Sequence, residues 1–365
     1  MSSFQKFREG QEPLSLPEKE LKDKTVLVRV DFNCPVKNGV VVNNYRIVES
    51  LGTLKLLKEK GAKKIVLVTH LGRPKGEFVP ELSVQPIKRE LEKVWGERVD
   101  TPEYVVDPDE YAKKVAEAEE SVVLWENIRF WPGEKKNEPE FAKALTGGCD
   151  LFVNEAFSAC HREHASVVRT AQNLPAYAGL RLGEEVREIY QLLNQEASPS
   201  VALVGGAKIE TKIPVLEALE KHYDKILLGG KIALEYLNFV ESLPEKRPWM
   251  DKIELPSGYL GEEKFDIDEE SANHFAEILR QAKKILWNGP VGKFEEPGFA
   301  KGSEIIARAI SENKEASRLC GGGDTVALLD KMGLRDQVGF VSTGGGAMLD
   351  YIAYGTLPGL ERLEY

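Results

Sequence analysis

Two kinds of anion-binding chemistry follow short apolar runs along this chain, one kind in each half. In the first half the runs end in cations and amides. The run 26–30 leads into Asp31 and Asn33, 65–69 into His70 and Arg73, 122–125 into Asn127 and Arg129, and 151–153 into a loop holding His161, Arg162 and His164. A guanidinium reads a small anion through forked, charge-assisted hydrogen bonds. In the second half the same kind of run ends in bare backbone. Residues 201–204 open into Gly205-Gly206-Ala207-Lys208, 226–228 into Gly229-Gly230, 319–320 into Gly321-Gly322-Gly323-Asp324-Thr325, and Val341 into Ser342-Thr343-Gly344-Gly345-Gly346. Glycine turns ahead of helices offer backbone N–H groups and the positive helix end to phosphates. A chain carrying both points to two anionic ligands.

Each residue also has a plainer reading. One glycine pair after a strand is ordinarily a tight turn, but four such turns at strand-to-helix junctions converge on one crevice if the strands are parallel. Arg46, Arg73, Arg129 and Arg162 are far apart in sequence, yet each stands at a strand end or helix start. Lys208 and Lys212 are spaced to share one face of a first helical turn; a solvated surface role suits Lys212 better than Lys208, which follows the glycines directly. Asp324 heads a helix and reads first as an N-cap, with a metal contact as the alternative. His161 and His164 have the spacing of a metal pair, but no third ligand is suitably placed, so they read as anion or loop contacts. Neither a GxxxxGK[ST] loop nor a GxGxxG turn occurs, which excludes an ordinary P-loop and weakens a dinucleotide reading.

These residues need elements to hold them. Residues 46–60 read as a helix, with Ile47, Leu51, Leu54 and Leu57 at helical spacing and Gly61 as the stop. Further helices are expected from a Ser83 cap to Trp95, over 109–120 and over 139–145. Strand–helix alternation at these lengths means parallel sheets covered on both faces. Residues 182–194 form a helical connector, after which the alternation restarts with four strand–glycine turn–helix units. The stretch 241–268 is rich in Pro, Gly and charge and carries no periodicity that assigns it. The residues 357–360 read as an apolar tail that docks onto the fold.

At 365 residues two domains are the expectation. The net charge of −10 argues against a general nucleic-acid binder. Residues 1–10 have no apolar core of signal-peptide length and no run approaches a membrane span. Four cysteines, Cys34, Cys149, Cys160 and Cys320, make no CxxC pair or zinc spacing. Reduced thiols in a cytoplasmic protein without nucleic-acid or membrane partners are expected.

The strings VLVRVDFNCP (26–35), NNYRI (43–47), VTHLGRPKG (68–76), ENIRF (126–130) and VNEAFSACHREHAS (153–166) resemble phosphoglycerate kinase. So do VALVGGAKIETKI (201–213), ILLGG (226–230), WNGPVGKFE (287–295), GGGDT (321–325) and STGGGAMLDY (342–351). The resemblance runs in unbroken order from about residue 21 to the C-terminus. It implies an α/β protein of two Rossmann-like domains with parallel sheets: a phosphoglycerate-binding domain over 1–180 joined by the tail 355–365, a hinge helix over 181–196, and a nucleotide-binding domain over 197–354. It implies reversible phosphoryl transfer between 1,3-bisphosphoglycerate and Mg-ADP, giving 3-phosphoglycerate and Mg-ATP, by a monomer. Asp31, Asn33, His70, Arg73, Arg129 and Arg162 would hold the phosphoglycerate, with Arg46 at the transferring group. Arg46, Lys208, Gly322 and Gly345 would make the catalytic set. The nucleotide would fall to Gly205, Lys208, Lys212, Gly229, Gly230, Asn288, Gly322, Gly323, Asp324 and Thr325, with Glu295 at the ribose. Asp324 would then contact the Mg2+ carried by the nucleotide rather than serve as a cap.

The chemistry agrees with that implication. Phosphoryl transfer asks a protein mainly for positioning and charge stabilisation, so no triad is needed. Some positions depart from the family pattern: Tyr45 for a small polar residue or Gln, Trp131 for His, Cys34 for an aliphatic residue, Thr211 for Asp, Lys231 for Gly and Lys293 for an aliphatic residue. The two lysines place bulk and charge in the nucleotide half and imply a looser choice of base. A non-catalytic nucleotide-binding or regulatory protein that kept the fold is the alternative, and the joint presence of Arg46, Lys208 and Asp324 favours the enzyme.

Overall fold

The apolar runs of the first half become a five-stranded parallel sheet. Its strands are β1 (Thr25–Arg29), β2 (Lys64–Val68), β3 (Val122–Leu124), β4 (Leu151–Asn154) and β5 (Ala176–Ala178), in the order β3-β2-β1-β4-β5. The computed structural model describes residues 21–206 and 208–363; residues 1–20 of the expected first domain, Ala207 of the first glycine turn and the last two tail residues lie outside them. β1 pairs Val26 with Ile65 on one side and with Leu151 on the other. Val26, Leu27 and Val28 are fully buried, which is why this strand is a continuous apolar run. Each such side chain contributes roughly 1.5–3 kcal/mol relative to exposure.

Helices α1 (Tyr45–Glu59), α2 (Gln85–Trp95), α3 (Pro108–Glu117) and α4 (Pro139–Thr146) belong to this sheet. The buried face of α1 carries Ile47, Leu51, Leu54 and Leu57, and Gly61 follows its end at φ 81°. The Asp107 side chain caps α3 by accepting from the N–H groups of Asp109 and Glu110, which begins the helix at Pro108.

The second half makes a separate six-stranded sheet of β6 (Ser200–Val204), β7 (Lys225–Leu228), β8 (Ile253–Glu254), β9 (Lys284–Asn288), β10 (Ser317–Gly321) and β11 (Phe340–Val341). Their order is β8-β7-β6-β9-β10-β11, with every pair parallel. Helices α5 (Leu180–Asn194), α6 (Ile213–Leu219), α7 (Lys231–Ser242), α8 (Glu269–Gln281), α9 (Lys301–Glu312), α10 (Gly323–Met332) and α11 (Gly345–Tyr354) alternate with these strands. The sequence reading of four strand-turn-helix units leaves out β8 and β9. β9 is interior to the sheet, pairing with β6 and β10. It begins with Lys284, which is buried; the ammonium donates to the carbonyls of Leu193 and Gln195 (3.4 and 3.1 Å) and lies over the Tyr223 ring. The unassigned stretch 241–268 contains the end of α7, the single turn Pro248–Lys252, the edge strand β8 and a two-residue hairpin pairing Tyr259–Leu260 with Asp266–Ile267.

Contacts divide the chain into two units. The described residues up to Val186 group with those from Thr356 onward, and Arg187–Gly355 form the other unit. The division falls inside α5. The tail buries Leu357, Leu360 and Leu363. Gly359 donates its N–H to the Cys160 carbonyl at 2.9 Å and accepts from Asn154 Nδ2 at 3.3 Å. A Cβ at Gly359 would stand 2.7 Å from Val167 Cγ1 and 2.9 Å from Cys160 Cα. Gly359→Ala therefore lowers the unfolding free energy of the first unit by about 1–3 kcal/mol, the usual cost of overpacking. Denaturant midpoints measure it, and an unchanged midpoint would show that the tail is not seated there.

Candidate functional site

The strands of the first sheet end together, and their loops bring the expected cations into one place. From β1, Arg29 reaches His70 after β2: Arg29 Nη2 donates to His70 Nδ1 at 3.1 Å. A guanidinium has no acceptor, so this bond puts the imidazole proton on Nε2. Arg29 Nε also donates to Ser166 Oγ at 2.9 Å, and that hydroxyl donates to Glu134 Oε1 at 2.7 Å. Asp31, next along from β1, pairs with Arg46 in the first turn of α1 and accepts from Ser158 Oγ. Asn33 Oδ1 accepts from the Gly72 N–H at 2.9 Å, which leaves its amide hydrogens to donate elsewhere. Arg129 gives Nη1 to the Gly72 carbonyl at 2.7 Å. Its Nε is buried, and among the described residues nothing accepts from it. A buried guanidinium N–H without a protein acceptor can be met by a ligand or by an ordered water.

The electrostatics have the same sense. Burial, then Arg29, Arg129, Arg162 and Arg46, drive His70 well below its ordinary value, so it is neutral. Burial and like charge push both Arg29 and Arg129 down to about 10, and weaken Arg162 beside Arg73. Glu134 is pushed upward by burial despite Arg29. His161 falls to about 4, and its Nε2 accepts from Arg162 Nε at 3.2 Å. His161 and His164 thus belong to the cationic pocket, and among the described residues no group of three His, Cys, Asp or Glu side chains is arranged to hold a metal.

In the second unit the glycine loops close on one another. Gly205 donates its N–H to the Asn288 carbonyl at 2.8 Å, Asn288 Nδ2 donates to the Gly345 carbonyl at 3.2 Å, and the Gly289 N–H donates to Thr325 Oγ1 at 2.9 Å. A Cβ at Gly205 would stand 2.2 Å from the Pro290 carbonyl oxygen, and one at Gly345 would stand 2.3 Å from Gly322 Cα. Only glycine permits this approach of one backbone to another. Gly323 has open space where a Cβ would be and begins α10. Gly229 and Gly230 end β7 and precede α7. Glu295 lines a cavity of about 470 Å3 with Phe294, Lys301 and Lys331.

Two expectations change here. Lys208 and Lys212 do not lie on one helical face: Lys208 has a left-handed backbone (φ 64°), a single 3-10 turn separates it from Lys212, and α6 begins only at Ile213. Lys208 is exposed, while Lys212 is partly desolvated and faces the field of Asp350. Asp324 is not the cap of α10. Gly322 takes that position, and burial together with Glu295 raises the Asp324 carboxyl above its ordinary range. Lys231 is 71% exposed and 3.7 Å from Glu235 on its own helix, and Lys293 pairs with Glu296 at 3.0 Å over the Phe265 ring. Both charges meet a carboxylate within their own segment.

The sequence reading missed Arg29, Glu134, Ser158 and Ser166. For Arg29 a signal existed, since a charge inside a strand buried on both faces needs a partner. The others are revealed only by tertiary contact. Trp131, one of the departures, packs against Tyr104, Tyr111, Trp125 and Phe141 and donates to the Val106 carbonyl at 2.9 Å.

A family model described as phosphoglycerate kinase matches residues 16–243 and 251–354, leaving out residues within the stretch that carries no periodicity. The phosphoglycerate kinase of Rubrobacter xylanophilus is 40% identical over 388 aligned positions, covering 96% of this chain and 97% of that protein. That of Thermus thermophilus is 39% identical over 391, covering 94% and 97%. Among solved structures, phosphoglycerate kinase from Coxiella burnetii matches with a TM-score of 0.77 at 33% identity, covering 96% of this chain and 98% of that one. The one from Pyrococcus horikoshii matches with a TM-score of 0.81 at 29% identity and the same coverage.

The crowding of cations sets a pH dependence. Burial, then Arg129, Arg29 and Arg162, push His164 down to about 3, although Glu134 Oε1 is 3.6 Å from its Nδ1. Burial and the arginines prevail over that contact. Below the ordinary value near 6.5 the unfolded chain takes up a proton that the folded chain refuses. Stability is thus present above that value and is lost as pH falls toward 3. His164→Gln removes this loss, so the variant gains on the parent as pH falls from 7 to 4 in urea unfolding. Equal slopes would mean that His164 is charged in the folded state.

Proposed function

The chain belongs to the phosphoglycerate kinase family, and from that premise we propose that its two sets of anion contacts divide one reaction between them. The enzyme is a phosphotransferase that moves a phosphoryl group reversibly between 1,3-bisphosphoglycerate and ADP, giving 3-phosphoglycerate and ATP. The observation that carries the division is the first-unit pocket, where arginines surround a neutral His70 and, among the described residues, the buried Arg129 Nε has no acceptor.

In this reading Arg73, Arg129 and Arg162 hold the phosphate of phosphoglycerate, and His70 donates from Nε2. Asn33 donates through its amide, while Asp31, an acceptor, suits the substrate hydroxyl. Arg46 sits at the transferring group, where negative charge is redistributed as the phosphoryl moves. The nucleotide phosphates take the backbone and helix N-termini near Gly205, Gly229, Gly230, Gly322, Gly323, Thr325 and Gly345. Lys208 and Lys212 add positive charge, Asn288 holds the loops together, and Glu295 suits the ribose. The carboxyl of Asp324 fits Mg2+: it is partly buried, and Glu295 nearby makes its negative charge unfavourable until a cation is present. Bound with the nucleotide, the ion would neutralise phosphate oxygens.

We place residues up to about 180 and the tail as the phosphoglycerate-binding domain, 197–354 as the nucleotide-binding domain, and the helix between them as the hinge. We take the enzyme as a monomer. The four cysteines are free thiols, which suits the reducing cytoplasm.

A coupled assay of ATP formation from 1,3-bisphosphoglycerate and Mg-ADP tests the whole; no turnover by folded protein would leave a non-catalytic binding protein. Arg46→Ala is expected to lower kcat by roughly two to three orders of magnitude, comparable to losing one preorganised donor, with a smaller change in KM for 3-phosphoglycerate. Arg46→Lys restores part of this, because a point charge lacks the fork. A variant that loses stability but keeps kcat would make Arg46 structural. Asp324→Asn, at a position that caps nothing, should leave the melting temperature nearly unchanged while turnover falls at limiting Mg2+. Full activity at limiting Mg2+ would remove Asp324 from the metal's contacts.

A further inference from the structure

Arg46 has a natural competitor for its charge. Glu49 lies three residues further along α1, the spacing at which an arginine and a glutamate pair along one helix. The ion pair of Arg46 goes to Asp31 instead. Glu49 Oε2 is taken by Arg181, from the first turn of α5, at 2.9 Å from Nη1. The same guanidinium reaches Glu184 Oε2 at 2.7 Å and Glu185 Oε1 at 3.5 Å, and its Nη2 donates to the hydroxyl of Tyr45 at 3.3 Å. Tyr45 is the residue immediately before Arg46. All of these residues belong to the first unit.

The arrangement has the character of a clamp. The Arg181 side chain is 10% exposed and Glu185 is fully buried. Burial works against the Arg181 charge, but Glu185, Tyr45, Glu49 and Glu184 more than offset it. Burial works against the charge of Arg46 and lowers its ordinary value, and the field of Glu185 opposes that effect. Remove the guanidinium of Arg181, and Glu49 and Glu185 lose their neutralising partner a turn away from Arg46.

We infer that Arg181 is a positioning residue for the phosphoryl-transfer step: by holding Glu49 and Tyr45 it keeps Arg46 from pairing along its own helix and leaves that guanidinium directed toward Asp31 and the transferring group. The inference rests on the reading of Arg46 given above. It also gives Tyr45 a purpose, since a small residue there could not meet Arg181.

The test compares Arg181→Met, Glu49→Gln and the double variant in the full-length enzyme, with Arg46→Ala alongside. Arg181→Met lowers kcat by roughly ten- to hundredfold, the scale of a small misplacement of a catalytic group, while KM for 3-phosphoglycerate changes little. Glu49→Gln alone keeps the parent kcat, because Glu49 is already held away from Arg46. In the double variant kcat returns in part, since Glu49 no longer competes for Arg46 while the field of Glu185 remains. A role in packing alone predicts a lowered melting temperature and no rescue by Glu49→Gln. An Arg181→Met enzyme with parental kcat, or a loss that Glu49→Gln does not relieve, overturns the inference. If Arg46→Ala itself keeps kcat, the reading of Arg46 fails first and the inference falls with it, a pattern distinct from a failure of Arg181 alone. Arg181→Gln repeats the comparison if Arg181→Met does not fold.

Discussion

Gathering Arg29, Arg46, Arg129 and Arg162 around His70 is unfavourable in the absence of an anion, and much of the first unit is arranged to sustain it. Each guanidinium must lose water and meet its neighbours' charge, which is why Arg29 and Arg129 are both weakened to about 10. They are anchored by different strand ends: Arg29 through Ser166 to Glu134, Arg129 through the Gly72 carbonyl, and Arg46 through Asp31. The parallel register that aligns Val26 with Ile65 and Leu151 therefore also aligns these anchors. The repulsion stored in the free pocket is relieved by a ligand of opposite charge, so selectivity for an anion follows from the fold.

In the proposed division the second unit meets the same kind of ligand with little formal charge. Its donors are backbone N–H groups at helix starts, brought close because Gly205, Gly322 and Gly345 carry no side chain. A nucleotide has several phosphates and a bound cation, and charge is already partly balanced there; shape and the number of N–H contacts matter more than arginines. On the proposed division phosphoglycerate arrives without a resident cation, and the arginines of the first unit supply the positive charge.

Much of this was legible in the sequence because parallel strands buried on both faces leave continuous apolar runs, and the residues after those runs must lie at one edge of a sheet. Asp31, His70, Arg129 and the glycine turns were found that way. What escaped depended on tertiary partners. β9 was hidden because its first residue, Lys284, is a buried lysine satisfied by the Leu193 and Gln195 carbonyls and an aromatic ring. The Asp324 cap failed because a glycine with φ of 107° can take the N-cap position itself.

The start of α5 shows how closely charge is confined to the pocket. Glu155 is buried beneath it, accepting from Thr53 Oγ1 at 2.6 Å and from the N–H groups of Arg181 and Leu182 at 3.3 and 3.4 Å. A carboxylate at a helix N-terminus is ordinarily stabilised, yet burial outweighs these bonds and pushes Glu155 up to about 8. At neutral pH it therefore adds little negative field near the arginines. One residue further into the helix, Arg181 gathers the charges of Glu49, Glu184 and Glu185. The carboxylates nearest Arg46 are thus either neutralised or occupied, apart from Asp31, its own partner. A cluster of arginines keeps its positive potential only if the acids around it are held in this way, and in this chain the first turn of α5 does the holding.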